Sequence, residues 1–365
     1  MDFYARHGDP LINFGAENDW LAIEACTPFA RRKWAEPGPT CLLANISFAS
    51  AQIAATDAVA RLAEAVGEGV DARKYSALLA RLKPAFHHAF FDNRTEAYAG
   101  GYQTVQILPL YFNVTPAAQQ ASVVAALVKS LTSPTGPTHD VNHECNGTTP
   151  CLASGFWGTR YALQVLAQYG QADLGLALAT KTAAPSWGAM VNSKPGTLWE
   201  SWVPPETGPQ SRDHPAFGGG IAAYLYVLAG IAEATNHAHL VIALPKRTVA
   251  AAIGWARVTV DAGASAARTK VALQWSMADE ELNFEIHIPV GFTGKAVIAS
   301  LPPPLCSHSR GGHAPVLSDV SNDGALLSRE DLSWRDEEGN AIDIPLAITG
   351  ITRLRFGCNA DDTTR

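Results

Sequence analysis

The sequence predicts a mainly helical domain followed by a smaller β domain. Up to about residue 234, successive segments carry apolar residues at helical spacing, and long loops rich in proline and glycine separate them. Beyond Leu244, apolar and polar residues alternate in short runs bounded by glycine, aspartate and proline, as is typical of strands. We therefore expect a helical domain over 1–242 and a β domain over 243–365.

Seven helices are predicted in the first domain. Asp71 is expected to cap the second helix, and Thr115 followed by Pro116 is expected to open the fourth, which carries Val123, Leu127 and Leu131 on one face. The other predicted helices cover residues 41–66, 103–111, 155–169, 172–183 and 217–234, and the second runs to Phe91.

Consecutive helix pairs with long loops at one end indicate an α/α toroid, in which two rings of helices are concentric and the connecting loops form the site. A complete toroid of six pairs has twelve helices, so about seven predict a partial (α/α)6 toroid. This count leads us to expect that the N-terminal part of the toroid is missing.

The second domain is expected to be a small antiparallel β-sandwich with a supporting role. Its predicted strands cover 257–260, 270–275, 282–288, 295–299 and 351–356. Residues 302–365, which begin with Pro302-Pro303-Pro304, are expected to form a loosely ordered tail.

Composition excludes several classes of function. The 365 residues include 17% charged and 47% hydrophobic residues, which is ordinary for a globular protein. A net charge of −7 argues against nucleic acid or an anionic membrane as a partner. The longest apolar runs, such as residues 221–231, are too short to span a bilayer. No cofactor is expected.

The cysteines and sequons bear on metal binding and on compartment. Six cysteines fit no zinc pattern, and the spacing of His139, His143, Glu144 and Cys145 matches no closed tetrahedral site, so no metal is expected. Cys145 and Cys151 bracket a turn-rich loop that a disulfide could close. With the sequons at Asn45, Asn93, Asn113 and Asn146, this favours a secreted or extracellular protein, although the first residues show no apolar signal core. The compartment stays open.

One stretch of about thirty residues concentrates the candidate chemistry. It holds PSWGAM at 185–190, GTLWESW at 196–202 and SRDHP at 211–215. Flat indole faces suit the apolar faces of sugar rings, and Glu200 lies between Trp199 and Trp202. The pattern favours a carbohydrate-cleaving site centred on Glu200. The alternative is that the tryptophans are core residues and Glu200 is a satisfied buried acid.

These motifs resemble glycoside hydrolase family 78, the α-L-rhamnosidases. FWGTRYAL at 156–163, PSWGAM, TLWESW and SRDHPAFGGGI at 211–221 carry the resemblance, and the segment from Gly254 is similar to the family's C-terminal sandwich. The resemblance covers about residues 18–301 and implies an inverting hydrolysis of terminal α-L-rhamnosyl residues. The expected partner is therefore a rhamnosylated small molecule or polysaccharide.

The resemblance also implies roles for individual residues. Glu200 corresponds to the family's general base, and His214 to a histidine that contacts sugar hydroxyls. From the residues alone, His214 is also a candidate for a helix N-terminus, with Asp213 as the cap and Pro215 in the first turn. Arg212 is either a polar neighbour of the base or a surface residue. Trp20, next to Asp19, corresponds to a tryptophan that packs on the sugar, and both residues are expected to contact the substrate. Trp187 corresponds to a residue that shapes the pocket. Trp199, next to the base, is also expected to contact the substrate. Nothing in residues 1–17 matches the family's general-acid motif, and Asp19 or Glu17 is a candidate substitute. Tyr102 and Gln103 are candidates to line the same mouth.

The sequence alone leaves several functions open. The first is a glycosidase whose general acid comes from a segment outside this chain. The second is a binding remnant without the acid, and the third is another helical-toroid glycosidase or a polysaccharide lyase. A partial toroid exposes apolar helix faces, so we also expect self-association.

Overall fold

The fold is taken from a computed structural model. It describes residues 42–132, 149–194, 196–202, 211–235, 239–242, 245, 247–262, 269–278, 281–288, 295–298, 316–322, 325–326, 333–334, 342–343 and 350–357.

The described residues form nine α-helices, labelled α1 to α9 in chain order. They span Leu42–Ala65, Gly69–Phe90, Gln103–Tyr111, Ala117–Thr132, Phe156–Gln168, Ala172–Thr180, Trp187–Asn192, Gly218–Leu228 and Arg247–Ile253. Among these residues, no helix combines the length and the apolar character needed to cross a membrane. The helices group into one unit that ends at Ile221 and a second unit that begins at Ala222, so the division falls within α8.

The helices of the first unit are arranged in two layers. Helix α1 packs on α3 and α3 packs on α5, while α2, α4 and α6 pack against α1, α3 and α5 respectively. Helix α3 is buried on every side from Gln103 to Leu110, as an inner helix must be. Helix α2 buries one face only, through Leu82, Phe86 and Phe90. This inner row with an outer partner for each helix confirms the predicted partial α/α toroid.

The helix boundaries follow from the local sequence. The predicted helix at 103–111 is observed as Gln103–Tyr111, one residue after Gly100 and Gly101, which both adopt positive φ. Helix α2 begins at Gly69, so Asp71 lies in its first turn instead of capping it, where its carboxylate still favours the positive end of the helix dipole. Helix α4 begins at Ala117, one residue after Pro116.

The described strands, β1 to β13, fall in both units. They span Phe91–Asp92, Ala97–Tyr98, Ile231–Thr235, His239–Ile242, Trp255–Ala262, Thr269–Ala278, Glu281–Ile288, Lys295–Ile298, Val316–Asn322, Ala325–Leu326, Ser333–Trp334, Ile342–Asp343 and Gly350–Gly357. Strands β1 and β2 form a short antiparallel hairpin in the helical unit.

The second unit contains two sheets. The larger has the strand order β10-β9-β13-β7-β6-β5 and is antiparallel throughout. Its alternation matches the prediction, because Leu273 and Trp275 are buried on β6 and lie opposite Ile286 and Phe284 of β7, which are also buried. The sequence thus correctly predicts a β domain after the helices.

The smaller sheet departs from the expected antiparallel pattern. Its order is β11-β12-β8-β4-β3, and β4 pairs with β8 in parallel, with Leu240 opposite Ala296. The predicted seventh helix, 217–234, is shorter than expected. Helix α8 ends at Leu228, Gly230 adopts a φ of 101°, and the chain enters β3 at Ile231. The predicted division at residue 242 stays a prediction.

Candidate active site

Glu200 lies on one of two chain segments that pair antiparallel. The amide of Glu200 donates to the carbonyl of Ser211 at 2.9 Å, and the amide of His214 donates to the carbonyl of Leu198 at 3.0 Å. The Thr197 hydroxyl donates to the carbonyl of Arg212. Segments 197–200 and 211–214 are therefore fixed side by side, which brings the predicted acid and the predicted histidine onto neighbouring strands of chain.

The carboxylate of Glu200 is itself held by this pairing. The Ser211 amide donates to Oε2 of Glu200 at 2.8 Å. Within the described residues, Oε1 has no hydrogen bond, and the side chain is only partly buried. A backbone donor thus fixes the orientation of one carboxylate oxygen.

The tryptophans near Glu200 in the sequence are buried, and two of them pack against each other. Trp187, Trp199 and Trp202 are 5%, 6% and 1% exposed. Trp202 packs edge-on against Trp187, with ring centroids 5.3 Å apart, and lies 4.5 Å from the Phe217 ring centroid. The Trp187 indole N–H donates to the carbonyl of Phe217 at 3.0 Å. Because all three indoles are buried, none of them forms an open stacking platform.

Trp202 is anchored to a distant part of the chain. Its indole N–H donates to the carbonyl of Ser154 at 2.7 Å. The Ser154 hydroxyl lies 2.9 Å from the Thr159 hydroxyl on α5. Ser154, which no sequence motif singles out, thereby joins the Glu200 segment to the start of α5.

Gln103 holds the segment that contains Ser154. Its Oε1 accepts from the amides of Ala153 at 2.8 Å and Ser154 at 3.3 Å, and its Nε2 donates to the carbonyl of Cys151 at 2.9 Å. Gln103 is fully buried, so its position does not match the predicted lining of the mouth. Because an inner helix must bury its first turn, the side chain instead satisfies backbone groups of a neighbouring segment.

His214 is the N-cap residue of the short helix that precedes α8. Its Nδ1 accepts from the amide of Ala216 at 3.2 Å, and Pro215 is the first residue of the 3-10 helix Pro215–Phe217. The prediction that Asp213 is the cap is wrong, because the Asp213 amide donates to the Ser211 hydroxyl and His214 takes the cap position. A neutral His214 that accepts through Nδ1 carries its proton on Nε2.

The other site candidates divide into two groups. Arg212 is exposed, and its guanidinium donates to the carbonyl of Lys194 at 3.3 Å. Asp19, Trp20 and Glu17 lie outside the described residues, so their predicted roles stay predictions.

Of the two cysteines in the predicted disulfide, only Cys151 lies among the described residues. Cys151 is disulfide-bonded and 3% exposed. Cys145, together with His139, His143 and Glu144, lies outside the described residues, so the pairing of Cys145 with Cys151 stays a prediction.

The chain is similar to known α-L-rhamnosidases in sequence. A family model described as the bacterial alpha-L-rhamnosidase 6 hairpin glycosidase domain matches residues 11–228. An alpha-L-rhamnosidase of Streptomyces avermitilis is 24% identical over 319 residues, which are 85% of this chain and 27% of that protein. One of Formosa agariphila is 25% identical over 249 residues, which are 66% of this chain and 24% of that protein. The chain thus spans about a quarter of the length of these curated relatives.

Solved structures show the same fold. The solved structure of an alpha-L-rhamnosidase from Dictyoglumus thermophilum has a TM-score of 0.69 at 20% identity. The match covers 97% of this chain and 35% of that one. The structure of the Streptomyces avermitilis alpha-L-rhamnosidase complexed with L-rhamnose has a TM-score of 0.65 at 22% identity. This match covers 97% of this chain and 29% of that one. At these identities the likeness shows the fold alone.

Proposed function

Because the chain belongs to the bacterial α-L-rhamnosidase six-hairpin glycosidase family, we propose that it takes part in removing terminal α-L-rhamnose from glycosides or polysaccharides, with Glu200 as the general base. An inverting glycosidase needs a carboxylate that activates a water molecule on one face of the sugar and a carboxylic acid that protonates the leaving oxygen on the other. Glu200 fits the first of these roles.

The observation that carries the proposal is the contact from the Ser211 amide to Oε2 of Glu200. A backbone donor fixes the orientation of the carboxylate, so that its other oxygen can keep one direction toward an attacking water. A positioned general base contributes about 10²–10⁴-fold to a rate. The buried rings of Trp199 and Trp202 on either side of Glu200 restrict the backbone that carries it.

His214 supplies a second function on the neighbouring segment. With Nδ1 occupied by the Ala216 amide, the neutral imidazole offers Nε2–H as a donor. A partly exposed donor beside the base suits a sugar hydroxyl, which supports the role that the family resemblance implies. Trp187 acts from behind as a packing residue, since its indole is buried and bonded to Phe217.

The general acid is the open part of the proposal. We expect it among residues outside the described ranges, where Asp19 and Glu17 are the candidates within this chain, or on a segment that the chain does not contain. Asp19 and Trp20 are proposed to contact the sugar. Self-association of the helical unit also stays a prediction.

The proposal is tested with an aryl α-L-rhamnoside. We expect release of the aryl alcohol by the chain, and a loss of about 10²–10⁴-fold in kcat in Glu200→Gln. Glu64→Gln, which changes an exposed glutamate of α1, is the matched control and should leave the rate unchanged. Proton NMR of the first product formed should show the inverted anomer; formation of the retained anomer, or an unaffected Glu200→Gln, would refute the assignment.

Binding without turnover would favour the alternative of a sugar-binding remnant. Calorimetry with L-rhamnose separates the two outcomes, because it does not require the general acid. A chain that binds rhamnose through His214 but releases no aryl alcohol has the base side of a site and lacks the acid.

A further inference from the structure

A cavity of about 350 Å³ lies beside helix α2, and no residue of the segments that hold Glu200 lines it. Lys83, His87 and His88 of α2 line it, with Phe91 and Asn93 from the β1–β2 hairpin and Val114 from the connection between α3 and α4. None of these residues takes part in the contacts of Glu200, Trp202 or His214. The proposed glycosidase chemistry therefore leaves this cavity unexplained.

One wall of the cavity is a rigidly held aromatic pair. The His87 ring stacks on the Phe91 ring with centroids 4.5 Å apart, and Nδ1 of His87 lies 2.9 Å from the hydroxyl of Tyr98. Tyr98 is fully buried. The imidazole is thus fixed from two sides, so this part of the cavity is preformed.

Burial also sets the hydrogen-bonding character of that wall. It lowers the pKa of His87, so the imidazole is neutral near pH 7. Burial raises the pKa of Tyr98 to about 12, so its hydroxyl keeps its proton. When that hydroxyl donates to Nδ1, the neutral ring carries its own proton on Nε2 and acts as a donor.

The charge of the lining is positive. Lys83 supplies an ammonium group, and none of the lining residues is a carboxylate. The adjacent acid, Asp92, is engaged in the hairpin turn, where it accepts from the Arg94 amide at 2.8 Å and lies 3.6 Å from the Arg94 guanidinium. Within the described part of the chain, no carboxylate forms an ion pair with Lys83.

We propose that this cavity binds a small monocarboxylate whose body is an apolar ring. The single ammonium of Lys83 matches one carboxylate, and the imidazoles and the Asn93 amide offer further hydrogen bonds to it. Phe91, Val114 and two flanking prolines form an apolar wall for the ring. A volume of this size accommodates one six-membered ring with its carboxylate.

Benzoate is the probe for this proposal, and the whole chain is titrated with it by calorimetry and by proton–nitrogen NMR. We expect saturable binding at one site, with shifts of the amides around residues 83–93 and 114. Lys83→Met keeps the aliphatic stem and removes the charge, so we expect its affinity to fall by about tenfold or more. Benzyl alcohol, which has the same ring without the charge, should bind at least severalfold more weakly.

Two control variants show whether benzoate binding depends on this cavity. Lys74→Met removes an exposed ammonium from the same helix, one that lies over the Tyr75 ring, and should leave benzoate affinity unchanged. Glu200→Gln should also leave it unchanged, so failure of the proposed glycosidase would not affect this test. Lys83→Glu provides a second variant at the site itself, expected to abolish benzoate binding and to admit benzylammonium.

The proposal is overturned if benzoate does not saturate, if Lys83→Met and Lys74→Met lose affinity equally, or if benzyl alcohol binds as tightly as benzoate. Thermal unfolding of each variant by circular dichroism checks that it is folded. If Lys83→Met is destabilised, the reversed ligand preference of Lys83→Glu decides the question, and absence of that reversal refutes the site.

Discussion

Glu200 and Ser211 exchange two hydrogen bonds: the Glu200 amide donates to the Ser211 carbonyl at 2.9 Å, and the Ser211 amide donates to Oε2 of Glu200 at 2.8 Å. The residue that carries the carboxylate and the residue that orients it are therefore fixed by the same backbone pairing. A carboxylate that accepts from a backbone amide is held more firmly than one held by a mobile side chain.

Ser211→Pro tests this orientation, because proline lacks the amide that donates to Oε2. We expect kcat on an aryl α-L-rhamnoside to fall by about tenfold or more, with L-rhamnose affinity changed less. Ser211→Ala keeps the amide and removes only the hydroxyl that accepts from Asp213, so it serves as the control and should stay within about threefold of the parent. Equal rates in the two variants would contradict the role of the amide.

Trp202→Phe is expected to destabilise the helical unit by about 1–3 kcal/mol. The phenyl ring keeps most of the packing on Trp187 and Phe217 but leaves the buried carbonyl of Ser154 without its indole donor. Urea unfolding followed by far-ultraviolet circular dichroism measures the change. Trp255→Phe, at a tryptophan 68% exposed, is the control, and a similar loss there would show that the Ser154 contact is not responsible.

Gln103→Leu is expected to cost about 3 kcal/mol or more, because its side-chain amide satisfies buried backbone groups of Cys151, Ala153 and Ser154. Gln164→Leu removes a glutamine of α5 whose side chain, among the residues that the structure describes, hydrogen-bonds only to the Arg160 carbonyl of its own helix. It should change the free energy of unfolding by less than about 0.5 kcal/mol. If Gln103→Leu unfolds at the same urea concentration as Gln164→Leu, the network does not stabilise the segment behind Trp202.

The sequence predicts the parts of the fold that depend on local pattern. It places helix α3 to the residue, because an apolar run follows two glycines. It misses the end of α8, because periodicity does not separate a buried helix from a buried strand in the apolar run that leads through Gly230 into β3. Alternation along β8 likewise predicts a strand but not its parallel partner β4, which lies more than fifty residues earlier.

In the candidate site, too, residues in local motifs can be predicted from sequence, whereas long-range contacts cannot. Glu200 and His214 are recognisable from sequence because short motifs contain both. Ser154 and the backbone contacts of Gln103 are not, because a polar residue that satisfies groups about fifty positions away leaves no local pattern. Sequence favours Asp213 as the cap because aspartate is the commoner cap residue, and the structure assigns that position to the imidazole of His214.

Gly220→Ala tests the close approach of α8 to α5. A Cβ atom at Gly220 would clash with the carbonyl oxygen of Thr159, a backbone atom of α5 that cannot move aside as a flexible side chain can. We expect a loss of about 1–3 kcal/mol or more in the free energy of unfolding. Gly69→Ala is the matched control, since the nearest described atom to its Cβ would be the flexible end of the Arg73 side chain, at 3.4 Å. Comparable urea midpoints for the two variants would exclude a tight helix contact at Gly220.

Tyr98 makes stability depend on alkaline pH. Burial raises its pKa from 10.0 to about 12, so between these values the unfolded chain has lost the phenolic proton while the folded chain keeps it. The unfolded state then binds fewer protons, and the free energy of unfolding falls as pH rises from 10 to 12, by about 3 kcal/mol from this residue.

Tyr98→Phe removes that dependence, although it loses the contact to His87 and is less stable near pH 8. Urea unfolding at pH 8 and pH 11.5 measures the free energy of unfolding of both proteins. The parent should be more stable than Tyr98→Phe at pH 8, and this difference should be smaller at pH 11.5. Gln164→Leu changes no titratable group, so its difference in free energy of unfolding from the parent should be the same at both pH values. A constant difference for Tyr98→Phe as well would show that the buried hydroxyl does not titrate as described.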